Sequence, residues 1–321
     1  MTAPHNGAER SGEALILDIQ RLSTEDGPGM RTTVFFKGCN LRCPWCHNPE
    51  SIASTPDIGW HKQRCIGCGL CGAACRRGGL RRGPAGITFE REVCAACLAE
   101  SGTGGGCTEE CPAGAIEVKG RRIRTEALAK ELLKDRAYFH EGGGVTLSGG
   151  EALLQHGAAR DLAAILHGEG VHVAVDTAGC CAFSRFEEIL PYVDLILYDI
   201  KIFNVDEHKR ITGADNHIIL ENYEQLARRH VPLWVRTPII EGATDGEANI
   251  MGIGAFLAAL PLPEQWELCA FNNLCKDKYE RLSQDWAYSG AALIGRDKMT
   301  RLEALARRFV PAARATGRTA A

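Results

Sequence analysis

Three cysteines stand close together directly after an apolar run at residues 32–36. Cys39, Cys43 and Cys46 have a C-x3-C-x2-C spacing, which suits three thiolates in one loop around a single iron–sulfur cluster. A four-iron cluster with three protein ligands leaves one iron with an open coordination position. An open position is typical of a chemical site, whereas structural metal sites are closed. A zinc loop or a disulfide pair is the alternative interpretation.

Eight further cysteines fall within residues 61–120, where glycine is frequent and large aliphatic residues are few. Their order resembles the two halves of a bacterial ferredoxin signature, with a spacer lengthened by the Gly-rich residues 100–106. In such domains the fourth cysteine of each run binds the other cluster. The resemblance therefore implies one cluster on Cys65, Cys68, Cys71 and Cys111 and a second on Cys75, Cys94, Cys97 and Cys107. The long spacer puts Cys107 in question, and two zinc sites are the alternative.

The composition predicts a soluble globular protein, with 321 residues that are 45% apolar and 24% charged. The formal charge of −3 argues against general nucleic-acid binding. Residues 1–12 are polar, so we expect a frayed terminus and no signal peptide. No run reaches the roughly 18 apolar residues of a membrane span. Fifteen cysteines, mostly in metal-type spacings, indicate a reducing, oxygen-poor cytoplasm.

Apolar runs and helical patterns alternate through the rest of the chain. Six strands are predicted at residues 32–36, 144–148, 171–175, 195–200, 233–239 and 266–271, and a closing helix at about 298–310. This alternation predicts a parallel sheet covered by helices, the α/β class. We interpret the six strands as a partial (β/α)6 TIM-like barrel built from residues 13–51 and 121–321. Residues 52–120 are then an inserted two-cluster ferredoxin-like domain.

Polar or glycine residues follow several of these strands. The second strand leads into Ser148-Gly149-Gly150-Glu151, the third into Asp176 and the fourth into Asp199-Ile200-Lys201, while Arg236 and Asn272 mark the fifth and sixth. Sites in parallel α/β folds gather at the carboxyl ends of strands. A simple turn for the glycines and a buried salt bridge for Asp199 and Lys201 are the structural alternatives.

Taken in order, these segments resemble the glycyl radical enzyme activating enzymes of the radical S-adenosylmethionine superfamily. The match runs over residues 16–271 and includes a D-G-P-G-M-R turn from Asp26, a C-x-W-C-H-N run from Cys43, a G-G-V-T-x-S-G-G-E run from Gly143, a D-T-x-G run from Asp176 and D-I-K from Asp199. The familiar member is the pyruvate formate-lyase activator. Members with a ferredoxin-like insert act on decarboxylases, dehydratases and C–C, C–N or C–S lyases.

The resemblance implies a role for each of these positions. Cys39, Cys43 and Cys46 would hold the catalytic [4Fe–4S] cluster, whose open iron chelates S-adenosylmethionine, and Trp45 and His47 would flank the adenine. The other expected cofactor contacts are Gly149, Gly150, Glu151, Asp176, Asp199, Ile200, Lys201, Arg236 and Asn272. Asp176 and Asp199 could also hold a monovalent cation. Asp26 would meet the glycine loop of the partner enzyme.

One position departs from the family pattern. Relatives place a histidine after the sixth strand, where this chain has Asn272. An asparagine side chain hydrogen-bonds but does not titrate like histidine, so we assign it no proton transfer.

The resemblance implies reductive cleavage of S-adenosylmethionine to methionine and a 5′-deoxyadenosyl radical that takes hydrogen from a glycine Cα of a partner glycyl radical enzyme. Three [4Fe–4S] clusters and a monomer are expected. Residues 61–124 carry eleven Lys and Arg against six Glu, so the segment is +5, which favours an acidic flavodoxin or ferredoxin as electron donor. Alternatives are a radical enzyme for a small molecule or free peptide, and a pure electron-transfer protein.

The remaining cysteines and the basic tail predict no chemistry. Cys180, Cys181, Cys269 and Cys275 lack cluster spacing and are expected to be small buried hydrophobic residues. The tail arginines Arg307, Arg308, Arg314 and Arg318 are expected to be solvated.

Overall fold

Strands and helices alternate along the chain in a computed structural model that describes residues 12–83, 86–101 and 105–320. The predicted frayed terminus, up to residue 11, and residues 102–104 of the long spacer lie outside the described residues. The strands are β1 (Glu13–Ser23), β2 (Arg31–Phe36), β3 (Asp57–Trp60), β4 (Leu80–Gly83), β5 (Gly86–Phe89), β6 (Ile116–Lys119), β7 (Arg121–Arg124), β8 (Gly144–Gly149), β9 (His172–Thr177), β10 (Leu195–Asp199), β11 (Leu233–Ile239), β12 (Gln265–Ala270) and β13 (Ala313–Thr316).

The helices fall mostly between the strands of the second half of the chain. They are α1 (Leu70–Ala73), α2 (Arg91–Ser101), α3 (Gly106–Glu109), α4 (Thr125–Leu132), α5 (His156–Gly168), α6 (Ser184–Ile189), α7 (Val205–Thr212), α8 (His217–Arg228), α9 (Glu247–Ala258), α10 (Lys276–Arg281) and α11 (Arg296–Arg307). The closing helix thus begins and ends slightly before the predicted 298–310. No helix in the described ranges has the length and apolar character to cross a membrane.

One nine-stranded sheet has the order β13-β12-β11-β10-β9-β8-β2-β1-β7. The strands from β13 to β2 are parallel, and β1 pairs antiparallel with both β2 and β7. The prediction of a parallel α/β sheet is therefore confirmed, and all six predicted strands are present. The sequence did not predict β13. Within the described residues the order is linear, with edges at β13 and β7, and closure into a barrel is not observed.

Burial of the sheet on both faces explains the uninterrupted apolar runs. Along β10, Ile196 and Tyr198 belong to the main core beneath the helices, whereas Leu195 and Leu197 belong to a smaller cluster with Ala174. Alternate side chains of a strand point to opposite faces, so the two clusters mark the two faces of the sheet. The apolar side chains on both faces of β10 are therefore buried.

The cysteine-rich segment has its own small sheets and its own core. Strand β3 pairs with β6 and β4 with β5, both antiparallel. Their apolar side chains form a separate cluster that includes Ile58, Trp60, Ile87 and Leu98. Because β6 is followed directly by β7, the chain returns from this segment to the main sheet at Arg121.

Candidate active site

A cavity of about 730 Å³ opens at the carboxyl ends of the parallel strands. Its wall combines most of the predicted site residues with others from the same strand ends. The predicted residues in the wall are Asp26, Cys39, Cys43, Trp45, Cys46, His47, Gly149, Gly150, Asp176, Asp199, Lys201, Arg236 and Asn272. Two predicted residues, Glu151 and Ile200, are buried outside this wall.

The three cysteines of the loop after β2 share this wall as free thiols. Burial raises the pKa values of Cys39, Cys43 and Cys46 to about 12, about 11 and about 12. Such thiols ionise only beside a strong positive charge, which bound metal supplies. In the described part of the chain, no three His, Cys, Asp or Glu side chains are grouped as around a single metal ion. Three desolvated thiols that share one cavity fit a multi-iron cluster.

Trp45 and His47 both line the cavity, and His47 lies beside the end of β12. Trp45 is buried. The ring of His47 hydrogen-bonds to the backbone of Asn272, and its centroid lies 6.0 Å from that of Phe271. Burial lowers the pKa of His47, although this hydrogen bond opposes the shift. The Asn272 side chain itself accepts a hydrogen bond from the Leu274 amide at 3.2 Å.

Two glycines, the last residue of β8 and the residue after it, are required by close packing on the neighbouring strand and the start of the cysteine loop. Gly149 has φ +123°, and a Cβ there would lie 2.3 Å from the Phe36 amide nitrogen. A Cβ on Gly150 would lie 2.3 Å from the Gly38 carbonyl oxygen. The pair therefore brings the end of β8 against the start of the cysteine loop, at the cavity wall.

Two carboxylates and two cations face one another in the wall. Asp199 forms a short ion pair with Lys201, and Asp176 accepts a hydrogen bond from Ser148 at 2.7 Å with Arg236 at 3.7 Å. Burial alone would lower the pKa of Lys201, but Asp199, Cys43 and Asp176 together outweigh it and raise that pKa. Burial raises the pKa of Asp176, and Arg236 opposes the shift. Each carboxylate thus already has a cationic neighbour.

Asp26 lines the cavity from the turn between β1 and β2. Its Oδ2 accepts hydrogen bonds from Ser23 at 2.6 Å and Thr33 at 2.7 Å. The fully buried Arg31 supports this turn, since it donates to the carbonyl oxygens of Pro28 at 3.2 Å and other neighbouring backbone groups. Arg31 is the last residue of the D-G-P-G-M-R motif, but the sequence predicted no role for it.

Comparisons with known proteins agree with this geometry. The radical SAM superfamily profile matches residues 94–252, and that of a 4Fe-4S single cluster domain matches residues 25–69. The indoleacetate decarboxylase activating enzyme of Tractidigestivibacter scatoligenes is 36% identical over 283 residues, which cover 85% of this chain and 88% of that protein. The isethionate sulfite-lyase activating enzyme of Desulfovibrio desulfuricans is 36% identical over 280 residues, with coverage of 85% and 88%. The chain belongs to the glycyl radical enzyme activating enzymes.

This activating enzyme is an oxidoreductase. A solved radical SAM methyltransferase from Sphaerobacter thermophilus shares its fold, with a TM-score of 0.52 and 13% identity over 95% of this chain and 77% of that one. When bound, the iron–sulfur cluster supplies the electron that cleaves S-adenosylmethionine to methionine and a 5′-deoxyadenosyl radical, which takes hydrogen from a glycine of the partner enzyme.

The eight cysteines of residues 61–120 form two spatial groups in this activating enzyme. Cys65, Cys68, Cys71 and Cys111 line a cavity of about 100 Å³. Burial and the three neighbouring thiols raise the pKa of Cys71. Burial, followed by the neighbouring Cys75 and Cys97, raises the pKa of Cys107 to about 11. Cys94 is likewise shifted by burial and by Cys75 and Cys107. The ferredoxin resemblance implies the same two groups, and their assignment to two clusters stays a prediction.

The sequence missed the contribution of the chain's last strand to the site. Thr316, Gly317 and Arg318 line the cavity beside β12, and Arg314 pairs with the buried Glu267 at 2.7 Å. Arg314 and Arg318 are exposed, as expected, but the sequence did not predict that they also contact the site. The four residues of β13, Ala-Arg-Ala-Thr, carry no apolar pattern that predicts a strand.

The four remaining cysteines differ in burial. Cys181 and Cys275 are buried as predicted, whereas Cys180 and Cys269 are half-buried. Cys269 also forms part of the cavity wall.

Proposed function

We propose that the cavity holds a [4Fe–4S] cluster on Cys39, Cys43 and Cys46 together with S-adenosylmethionine, and that the glycine loop of the partner enzyme closes it. The observation that carries this proposal is the single cavity of about 730 Å³, whose wall combines the three thiols, the strand-end carboxylates and Asp26. The fit is chemical, since thiolates bind iron and charged groups bind the amino acid part of the cosubstrate.

The chain's own residues supply binding and exclusion of water. Asp199 and Lys201 present opposite charges to the amino and carboxylate groups of the methionine part, while Trp45 and His47 flank the adenine. Apolar wall residues such as Phe35, Leu41, Ile240 and Phe271 keep water and other hydrogen donors away from the radical. We retain the monovalent cation as a prediction, although both carboxylates already have cationic neighbours.

The proposed partner is a glycyl radical decarboxylase, dehydratase or C–X lyase rather than pyruvate formate-lyase. Two observations support this class. The relatives above activate, by name, an indoleacetate decarboxylase and an isethionate sulfite-lyase. The inserted segment is also the feature that members serving such enzymes have, and it is present here with eight cysteines.

The inserted segment is proposed to be a ferredoxin-like domain with two [4Fe–4S] clusters that admits electrons. Cys68 is exposed, and Ile66 beside it exposes 69% of its surface. Lys62 and Arg64 are exposed nearby in sequence. An exposed ligand next to an apolar residue and positive charges suits an acidic flavodoxin or ferredoxin, whose approach opposite charge accelerates.

The setting follows from this chemistry. We propose a monomer that acts in a reducing cytoplasm, with the parallel sheet curved into a partial barrel around the cavity. Reduced clusters and a carbon radical both require the absence of oxygen and of competing hydrogen donors.

The experiment that tests the proposed function is anaerobic incubation with S-adenosylmethionine, a reductant and candidate partner enzymes. Electron paramagnetic resonance should detect a glycyl radical in a decarboxylase or lyase partner, and stoichiometric 5′-deoxyadenosine should accumulate. A partner whose radical glycine is replaced by alanine is the control. Radical formation in pyruvate formate-lyase alone would overturn the partner class, and none in any glycyl radical enzyme would overturn the proposal.

A further inference from the structure

A short segment after β12 makes direct hydrogen bonds to the second half of the cysteine loop. The hydroxyl of Tyr279, on α10, donates to the carbonyl oxygen of Cys46 at 2.9 Å. The indole N–H of Trp286 donates to the carbonyl oxygen of Pro44 at 3.1 Å. The two donors thus hold carbonyls that are two residues apart in the loop, one of which belongs to a proposed cluster ligand.

The two donors form one rigid unit. The rings of Tyr279 and Trp286 stack with centroids 5.1 Å apart and an angle of 13° between their planes, and both side chains are buried. Lys278 adds a third bond to the loop region, from its ammonium group to Asn48 Oδ1 at 2.8 Å. Stacked, buried rings have little freedom to turn, so their polar atoms stay aimed at the loop.

The first half of the loop is held by other elements. The Cys39 amide donates to the Ile52 carbonyl at 3.1 Å, and the Arg42 amide donates to the Thr212 carbonyl, at the end of α7, at 2.7 Å. Three sulfur atoms can hold one cluster only if both halves of the loop keep a fixed relation. The Cys46 half takes its position largely from α10 and the residues that follow it.

We propose that Tyr279 and Trp286 are positioning residues that set the sulfur of Cys46 relative to those of Cys39 and Cys43. This inference rests on the proposed cluster. The Cys46 carbonyl otherwise accepts only a weak hydrogen bond from the Cys275 thiol at 3.8 Å among the described contacts, so loss of the Tyr279 hydroxyl removes its strong donor and loosens the backbone at Cys46. The sulfur atoms of Cys39 and Cys43 would then stay in place, whereas the sulfur of Cys46 would be less well positioned for the cluster.

The same segment also contacts the inserted domain. Arg91, the first residue of α2, donates to the Leu282 carbonyl through a short hydrogen bond and to the Ile58 carbonyl at 2.8 Å. Helix α2 carries Cys94 and Cys97. Residues 275–286 therefore contact both the catalytic loop and the start of the helix that carries two of the auxiliary cysteines.

The test compares Tyr279→Phe with Tyr288→Phe, which removes the same hydroxyl from a half-buried tyrosine packed on Phe271 at 5.7 Å. Within the described residues, Tyr288 makes no hydrogen bond to the cysteine loop. Reconstituted proteins are exposed to an iron chelator while the paramagnetic signal that responds to S-adenosylmethionine is followed. We expect about tenfold faster loss of that signal in Tyr279→Phe, since one buried acceptor then keeps only the weak thiol donor of Cys275, and the wild-type rate in Tyr288→Phe.

The outcomes separate this inference from the proposed function. A wild-type protein without any signal that responds to S-adenosylmethionine would overturn the proposed cluster itself. A wild-type signal with equal decay in the two tyrosine variants would overturn only the positioning role. A Trp286→Phe variant, which loses the donor to Pro44 but keeps a ring, should show faster decay as well. Circular dichroism establishes that each variant is folded.

Discussion

The hydroxyl of Thr177, which lines the cavity, donates a hydrogen bond across 2.8 Å to Oε1 of Glu151, which is fully buried behind the wall. The Ala178 amide donates to the other oxygen at 3.0 Å. Glu151 follows β8 and Thr177 ends β9, so this carboxylate ties together the ends of two neighbouring strands. Glu151 therefore stabilises the strand ends that form this part of the cavity wall.

Replacing Glu151 by glutamine should destabilise the protein. The remaining oxygen still accepts from Thr177, but the new amide N–H faces the Ala178 N–H, and an unpaired buried donor costs about 1–3 kcal/mol. Denaturant unfolding measures the change. Glu169→Gln, at an exposed residue paired with Arg136, is the matched control and should change stability little. Equal stability of both variants and the wild type would contradict the supporting role.

Replacing Asp26 by alanine should separate the two half-reactions. Cleavage of S-adenosylmethionine without a partner should stay largely intact, while the yield of glycyl radical should fall, because Asp26 belongs to the turn between β1 and β2 and not to the cysteine loop. Chromatography of 5′-deoxyadenosine and radical spin counting measure the two quantities. Asp18→Ala, an exposed residue of β1, is the control. Parallel loss of both activities would instead assign Asp26 to the fold or to cofactor binding.

The stability of the protein should fall at low pH, because His172 contacts Arg31, the residue that holds the turn containing Asp26. Both terminal nitrogens of Arg31 lie 3.3 Å from Nδ1 of His172, and burial, together with Arg31, lowers the pKa of His172. Below pH of about 6.5 the unfolded chain gains a proton that the folded protein resists, so stability falls as pH decreases. The unfolding midpoint of His172→Gln should fall less between about pH 7 and pH 5. An unchanged slope would show that His172 does not cause the effect.

The inserted domain should affect reduction by a protein donor more than reduction by a small chemical. Replacing Cys65 and Cys68 by alanine removes two of four thiolates from one proposed cluster and leaves the main core, which is separate, intact. Stopped-flow reduction with a flavodoxin or ferredoxin should slow, whereas a small reductant should be less affected. Cys180→Ala, outside both cysteine sets, is the control.

Salt gives an independent check on the same proposal. The wild-type rate with the protein donor should fall as salt rises, since charge attraction is screened over about 10 Å at 0.1 M. The rate with an uncharged small reductant should change little. Equal losses with both donors in folded Cys65→Ala/Cys68→Ala protein would instead indicate a structural or partner-docking role for the insert.

The sequence predicted those parts of the structure that have a strong local signal. The six parallel strands were found because they are buried apolar runs followed by glycine or charged residues. β13 was missed because it is four residues long, and its strand conformation depends on pairing with β12. The sequence also predicted that most strand-end residues share one cavity, because the carboxyl ends of parallel strands lie at the same edge of the sheet.

Other features depend on contacts that are distant in sequence. Glu151 adjoins two glycines that line the cavity, yet its own side chain is fully buried and accepts hydrogen bonds from the wall residues Thr177 and Ala178. Tyr279 and Trp286 meet the cysteine loop across more than two hundred residues, so no local pattern marks them. Arg31 gives no sign in the sequence that its guanidinium will be buried among backbone carbonyls.

The iron content of a variant in which Cys39, Cys43 and Cys46 are all alanine tests the central claim most directly, when it is measured together with turnover of S-adenosylmethionine. Anaerobically reconstituted wild-type protein should hold about twelve irons, from three four-iron clusters. The variant should hold about eight, keep its fold, and form no methionine or 5′-deoxyadenosine from S-adenosylmethionine. Cleavage that survives the triple replacement would contradict the assignment of these cysteines to the catalytic cluster.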